Sequence, residues 1–183
     1  MENKRLFIAL AIDPAISRDI TKKFNSLNLP WHKIRPVSAD QLHLSLKFLG
    51  DFSIDKIPNL LASLEKVKLD VEDLEINIDK TEIFNPQQPK VLALAIEYNP
   101  QLQELYDQIE QILFDDGLAH KEVRRFSPHL TLARVKQASQ LEEFQEFKNW
   151  PVTRSFVVSH FEIIESELTK NGPEYTSLQA FNL

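Results

Sequence analysis

The sequence repeats itself at a constant shift, and that shift limits what the chain can fold into more than any other feature. Asp13-Pro14 recurs as Asn99-Pro100 (99 − 13 = 86), and Leu6, Ala9 and Ile16 recur as Leu92, Ala95 and Leu102. Ser53 and Ser139 obey the same offset, and beyond Ser139 the register slips by one residue. Leu6 to Ile12 is an unbroken apolar run, which reads as a strand buried on both faces. Asp13 caps and Pro14 opens a helix over about 14–27, with Ile16, Ile20, Phe24 and Leu27 on one face. Leu42 to Leu49 is the next strand, ended by Gly50-Asp51. Ser53 caps a second helix, whose apolar face is Ile57, Leu60, Leu61 and Leu64, and Leu74, Ile76 and Ile78 alternate as a half-exposed strand. In the second copy, Val91 to Ile96 is a buried strand, Asn99-Pro100 opens a helix that stops at Gly117, and a strand covers about His129 to Val135. Ser139-x-x-Glu142 reads as a capping box for a short helix carrying Phe144 and Phe147. Phe156 to Ile164 and Tyr175 to Leu183 close the chain as strands. Two β-α-β-α-β units, about 6–82 and 92–168, follow: one bilobal domain over 1–183, with a cleft on its pseudo-two-fold axis.

The segments with chemistry to offer obey the same shift. His43-Leu44-Ser45-Leu46 recurs as His129-Leu130-Thr131-Leu132 (129 − 43 = 86). Residues i and i+2 of a strand share a face, so each copy presents an imidazole and a hydroxyl on one side and two leucines on the other. The leucine faces belong to the core. The other faces bring two imidazoles and two hydroxyls into one concavity, unless each histidine is simply a core residue satisfied by its neighbouring strand. This inventory suits a phosphate: hydroxyls donate to non-bridging oxygens, and two imidazoles near neutral pKa serve as acid and base. Lys47 has the same parity as His43 and Ser45 and would add positive potential, whereas Phe48 has the leucine parity and reads as core.

Composition narrows the class. The net charge of −6 argues against wrapping long duplex nucleic acid but leaves room for a substrate with one or two phosphates. With no Cys, disulfides, thiolate zinc sites and cysteine nucleophiles are excluded, and a reducing cytoplasm is the expected compartment. No stretch approaches the ~20 apolar residues of a membrane helix, and the opening residues do not read as a signal peptide. Neither histidine motif contains a carboxylate and no third ligand is in view, so no metal is expected. His32, His120 and His160 lack a partner motif, and there is no Gly-rich phosphate loop.

HLSLKFLG at 43–50 and SPHLTLAR at 127–134 resemble the paired His-x-Ser/Thr-x motifs of the two-histidine phosphoesterase superfamily. The opening RLFIALAID and the last strand are similar to its RNA 2′,3′-cyclic phosphodiesterase branch, formerly called 2′-5′ RNA ligase. The resemblance implies an α+β fold of two pseudo-symmetric lobes of antiparallel sheet with outer helices and a central active-site cleft. It implies hydrolysis of an RNA or oligonucleotide 2′,3′-cyclic phosphate end to a 2′-phosphate, with no metal and no cofactor. His43 would be the proton donor and His129 the acceptor, with Ser45, Thr131 and Arg134 binding substrate. Arg134 lies five residues after His129, the wrong parity for a regular strand, so its contact requires a bulge. Many relatives have Thr where Ser45 stands, which keeps the hydroxyl. Their Arg-Trp ahead of the first motif appears here only as Trp31 and Arg35 in loose order, so no role is carried onto either. Arg124-Arg125-Phe126 reads as a basic loop with one core aromatic, or else as a guide for an RNA end with Phe126 stacking on a base. The expected protein is a cytoplasmic monomer with an RNA partner and no membrane. The alternatives are a related enzyme acting on small cyclic nucleotides or 2′-5′-linked RNA, including weak ligation, and a non-catalytic RNA-end binding module. Intact histidines at 43 and 129 favour the enzyme.

Overall fold

Apolar strands followed by proline-opened helices set the frame in the computed structural model, which describes residues 2–170 and 172–183. In chain order the elements are β1 (Asn3–Ala11), α1 (Pro14–Asn25), β2 (Ile34–Pro36), β3 (His43–Ser53), α2 (Ile57–Leu64), β4 (Leu74–Phe84), β5 (Val91–Ile96), α3 (Pro100–Asp115), β6 (His129–Val135), α4 (Gln145–Lys148), β7 (Arg154–Val158), β8 (His160–Thr169) and β9 (Gly172–Asn182). The two repeated caps work alike. Asp13 Oδ1 accepts from the Ala15 and Ile16 amides at 2.7 and 3.3 Å, and Asn99 Oδ1 accepts from those of Gln101 and Leu102 at 2.8 and 3.0 Å. Gly117 takes a positive φ of 66° just past α3, as the helix stop requires.

All strand pairings are antiparallel, and they build one continuous sheet in the order β7-β4-β5-β6-β3-β1-β8-β9, with β2 on the edge of β6. The sheet curls into a half-barrel with four helices, so the fold is α+β with two pseudo-symmetric lobes around a cleft. The two halves of the sheet meet at a single residue pair, Leu44 opposite Leu130, both fully buried. Farther along, β6 gives the same edge to β2, pairing Ala133, Arg134 and Val135 with Pro36, Arg35 and Ile34. Strands β3 and β6 thus part almost as soon as they meet, and the cleft opens where they part. One core runs behind both halves and includes Leu44, Leu46, Leu130 and Leu132, as the leucine parity requires.

Several elements differ from the sequence reading. Strand β3 runs through Gly50, at φ 67°, to Ser53, because the polar start of β1 pairs with it as far as Asn3 opposite Ser53. Ser53 caps nothing with its side chain; a 3-10 turn at Ile54–Lys56 intervenes before α2. The capping box is Gln140 with Glu143, one residue on from Ser139 and Glu142, and the Gln140 amide donates to Glu143 Oε1 at 2.9 Å. The single strand expected over Phe156–Ile164 is two, parted at Ser159, since β7 pairs with β4 and β8 with β1. Strand β2 falls in what reads as a polar connection.

Candidate active site

Strands β3 and β6 deliver the repeated motifs to one cleft of about 660 Å³, lined by His43, Ser45, His129, Thr131 and Arg134 among others. All five candidate residues therefore come together. Each imidazole is oriented by the carbonyl two residues before it: His43 Nδ1 lies 2.7 Å from the Gln41 oxygen, and His129 Nδ1 lies 2.8 Å from that of Ser127. A carbonyl only accepts, so Nδ1 carries hydrogen in both rings and Nε2 is the atom that exchanges a proton. His43 Nε2 also lies 3.0 Å from Ser45 Oγ. That hydroxyl is thus engaged with the histidine and not held ready for an oxygen of another molecule.

The surroundings of His43 are the drier. Its ring meets Phe7 at 4.8 Å and Tyr175 edge-on at 5.4 Å, where Phe7, Ala9 and Ile164 form a second small core under Tyr175. That burial pushes the His43 pKa below the ordinary histidine value, against the Gln41 carbonyl, which favours the imidazolium; the charges of His129 and Arg134 lower it further. His129 has one aromatic neighbour, Phe84, at 4.7 Å.

The parity objection to Arg134 is answered by a bulge. Thr131 stands opposite Ala93 but Ala133 opposite Leu92, so Leu132 is an extra residue in β6. Leu132 and Ala133 are both buried, and Arg134 returns to the histidine face. The same bulge occurs in β3, where Ser45 stands opposite Ala9 and Lys47 opposite Ile8. It reverses both readings made from regular alternation. Lys47 turns away from the cleft, 8% exposed, to pair with Glu110 at 2.6 Å and donate to the His120 carbonyl at 2.7 Å. Phe48, expected in the core, is 67% exposed and lines the cleft.

Two residues, Arg5 and Tyr175, escaped the sequence reading as site candidates, and Arg35, which was given no role there, joins them. Arg5 and Arg35 line the cleft with Arg134, and Tyr175 closes one side of it. Burial raises the Tyr175 pKa, while the guanidiniums of Arg134, Arg5 and Arg35 pull it down, so all three charges converge on that phenol. Gly172 lets the β8–β9 hairpin come close, since a side chain there would run into the Arg35 guanidinium. Arg5 opens the RLFIALAID stretch at the polar start of β1, where nothing in the apolar pattern marks it as a site residue; Tyr175 is brought in by strand pairing. Trp31 is partly buried and packs against the core, edge-on to Phe24 at 5.5 Å. Phe126 does not line this cleft; it is partly buried, with one face stacked on Tyr106 at 4.1 Å and 11°.

Among the described residues lining the cleft there are three arginines, two histidines and no carboxylate, in a chain of net charge −6. Such a local excess favours an anion. Among the described residues no group of three or more His, Asp or Glu is placed to hold a metal ion, and no helix is long and apolar enough to cross a membrane.

Comparison with known proteins agrees with this chemistry. The family model described as the 2′-5′ RNA ligase superfamily matches residues 15–170. A Methanocaldococcus jannaschii protein named RNA 2′,3′-cyclic phosphodiesterase is 28% identical over 176 residues, 93% of this chain and 96% of that one. An Escherichia coli K12 protein of the same name is 28% identical over 183 residues, covering 100% of this chain and 98% of its own. The crystal structure of E. coli LigT complexed with 3′-AMP superposes with a TM-score of 0.81 at 24% identity, covering 100% of this chain and 99% of that one, a likeness of fold.

Proposed function

The chain belongs to the 2′-5′ RNA ligase superfamily, and from that membership we propose that it opens the 2′,3′-cyclic phosphate at the end of an RNA or oligonucleotide. The observation that carries the reading is the pair of imidazoles in one cation-lined cleft, each with Nδ1 held by a carbonyl and Nε2 left for proton exchange.

Water attacks phosphorus while His129 Nε2 takes its proton; the P–O3′ bond breaks, and His43 Nε2 gives its proton to O3′. A 2′-phosphomonoester remains, and exchange with solvent resets the two rings. The assignment of donor to His43 and acceptor to His129 is the one the family resemblance implies. Its burial supports it: an imidazolium in dry surroundings gives up its proton readily, and a bound phosphate anion supplies the opposite charge that protonates it beforehand. Protonation also releases the His43–Ser45 hydrogen bond. Nε2 then no longer accepts from Ser45, so the Ser45 hydroxyl hydrogen is freed for a phosphate oxygen while the Nε2 hydrogen is left for O3′. Thr131 and Arg134 line the same cleft and would hold the remaining non-bridging oxygens, which gain charge in the transition state. The chemistry needs no metal, because proton transfer and charge stabilisation are both supplied by side chains.

The test is to incubate the protein with an oligonucleotide ending in a 2′,3′-cyclic phosphate, in EDTA, and to identify the product isomer. A 2′-phosphate at an unreduced rate is expected. His43→Ala and His129→Ala should each lower kcat by about 10²–10⁴. A 3′-phosphate product, a rate abolished by EDTA, or full activity in either variant would sink the mechanism.

A further inference from the structure

A second cavity, of about 510 Å³, adjoins the cleft, and three residues line both: Gln41, His43 and Tyr175. The candidate proton donor thus stands in a partition between two hollows of opposite character. The cleft carries Arg5, Arg35 and Arg134 with His129, and no carboxylate among its described lining residues. The second cavity carries Asp40 and Glu162 against the single Arg18, with Glu162 held by His160 at 3.0 Å. The partition is assembled from distant parts of the fold. Tyr175 belongs to the outermost strand, separated from β3 by β8 and β1, yet its ring meets His43 edge-on at 5.4 Å and 84° and Phe7 at 5.2 Å. Gln41 ends the 3-10 turn Ala39–Gln41 just before β3, and both of its polar ends are used. Its carbonyl accepts from His43 Nδ1, and its side-chain amide donates to the Pro173 carbonyl, two residues before Tyr175. The contacts close a ring, from Gln41 to His43 to Tyr175 and back through Pro173. If Tyr175 only roofed the small core of Phe7, Ala9 and Ile164, nothing would require its hairpin to be tied to the residue that orients the histidine.

We propose that Tyr175 and the side chain of Gln41 are positioning residues, which brace the His43 ring in this partition and shield it from the water and carboxylates of the second cavity. The inference rests on the function proposed above, in which His43 gives its proton to O3′. An open partition would weaken that step twice. Water reaching the ring and carboxylates facing it both favour the imidazolium, so the ring would part with its proton less readily. A ring without its brace would also leave the line of proton transfer, and small misplacements of a catalytic group are costly. The phenol oxygen plays no part in this role; the breadth of the aromatic ring does.

The test reads His43 directly and through the rate. In an NMR titration of the free protein, Tyr175→Ala should raise the His43 midpoint by about 0.5 pH unit or more. One limb of the kcat/KM profile on a cyclic-phosphate-ended oligonucleotide should move up with it, and kcat should fall about tenfold to a hundredfold with KM little changed. Tyr175→Phe keeps the ring and should bring back the midpoint and most of kcat. Gln41→Leu keeps the backbone carbonyl and the bulk but has no hydrogen for Pro173, so it should move the midpoint and the limb the same way by less. This half-buried position also carries the test if Tyr175→Ala does not fold. An unmoved midpoint in either folded variant would overturn the role assigned to that residue while leaving the hydrolytic function standing. So would a Tyr175→Phe variant as impaired as Tyr175→Ala, since the phenol oxygen and not the shielding ring would then matter. No turnover by the unaltered protein would overturn the hydrolytic function, and with it the catalytic purpose of the partition.

Discussion

His43 shows how a single side chain carries both chemistry and its control. Phe7 and Tyr175 dry its ring and hold its pKa below the ordinary histidine value, yet the proposed role asks it to arrive protonated. An anion in the cleft resolves this, since a nearby negative charge favours the imidazolium. In an NMR titration of the free protein, His43 should therefore lose its proton below about pH 6.5, and inorganic phosphate should move the midpoint upward. A midpoint indifferent to phosphate would mean that the anion does not bind beside this ring. Arg134 is tested by its planar fork. Arg134→Lys should lose nearly as much kcat as Arg134→Ala, because a point charge does not reproduce bidentate contact. Ser45→Ala and Thr131→Val should lower kcat by about tenfold to a hundredfold while keeping the pH profile, less than a lost donor costs in an enclosed site; silent variants would remove the hydroxyls from the mechanism. The histidines and hydroxyls were legible in the sequence because they precede the bulges, where alternation still holds. Lys47, Phe48 and Arg134 follow the bulges. An extra residue in a ladder is decided by the strand across from it and leaves no mark of its own in the sequence.

At the scale of elements, the bulge in β3 couples the cleft to α3. Turning Lys47 away from the cleft sets its ammonium against Glu110 of α3, both side chains 8% exposed, while the second Glu110 oxygen accepts the Glu122 amide at 2.8 Å. Removing one partner of such a pair strands the other charge in the interior. Lys47→Met should thus cost about 3 kcal/mol in urea unfolding, and Lys47→Met with Glu110→Leu should recover much of it. A stability loss below about 1 kcal/mol in the single variant would mean that water reaches the pair. The long amphipathic elements were readable from periodicity and caps, α3 above all, with Asn99 and Gly117 at its ends. The elements defined by pairing were not. Strand β2 is three residues long and contains Pro36, so only its partner β6 makes it a strand. The break at Ser159 is equally silent, because both sides of it are apolar strand and only the exchange of partners, β4 for β1, separates them.

At the scale of the whole molecule, the sheet order contradicts the simplest consequence of a repeat, that each copy folds on itself. Strand β4 closes the first copy in sequence but lies between β5 and β7, and β8, late in the second, lies between β1 and β9. Each half of the sheet takes an outer strand from the opposite part of the chain. No periodicity announces this, since it is settled by long-range pairing and the burial of Leu74, Ile76 and Ile78 under the second half. We propose, accordingly, that residues 1–183 form one cooperative unit and that the repeated stretches are not independent domains. The chain can be divided in the β4–β5 hairpin, where Asn85 already takes a positive φ of 56° at an exposed turn. A fragment of residues 1–86 would hold β4 without β5 or β7, and a fragment of 87–183 would hold β8 without β1. Each would expose unpaired strand edges and half of a shared core. Neither fragment alone should give a cooperative thermal transition, whereas mixing them should restore one, together with cyclic-phosphate hydrolysis, because His43 and His129 come from different fragments and meet only across the Leu44–Leu130 pair. A cooperative transition in either isolated fragment would show that a copy of the repeat folds alone, and that the strand exchange is an addition to the fold and not a condition of it.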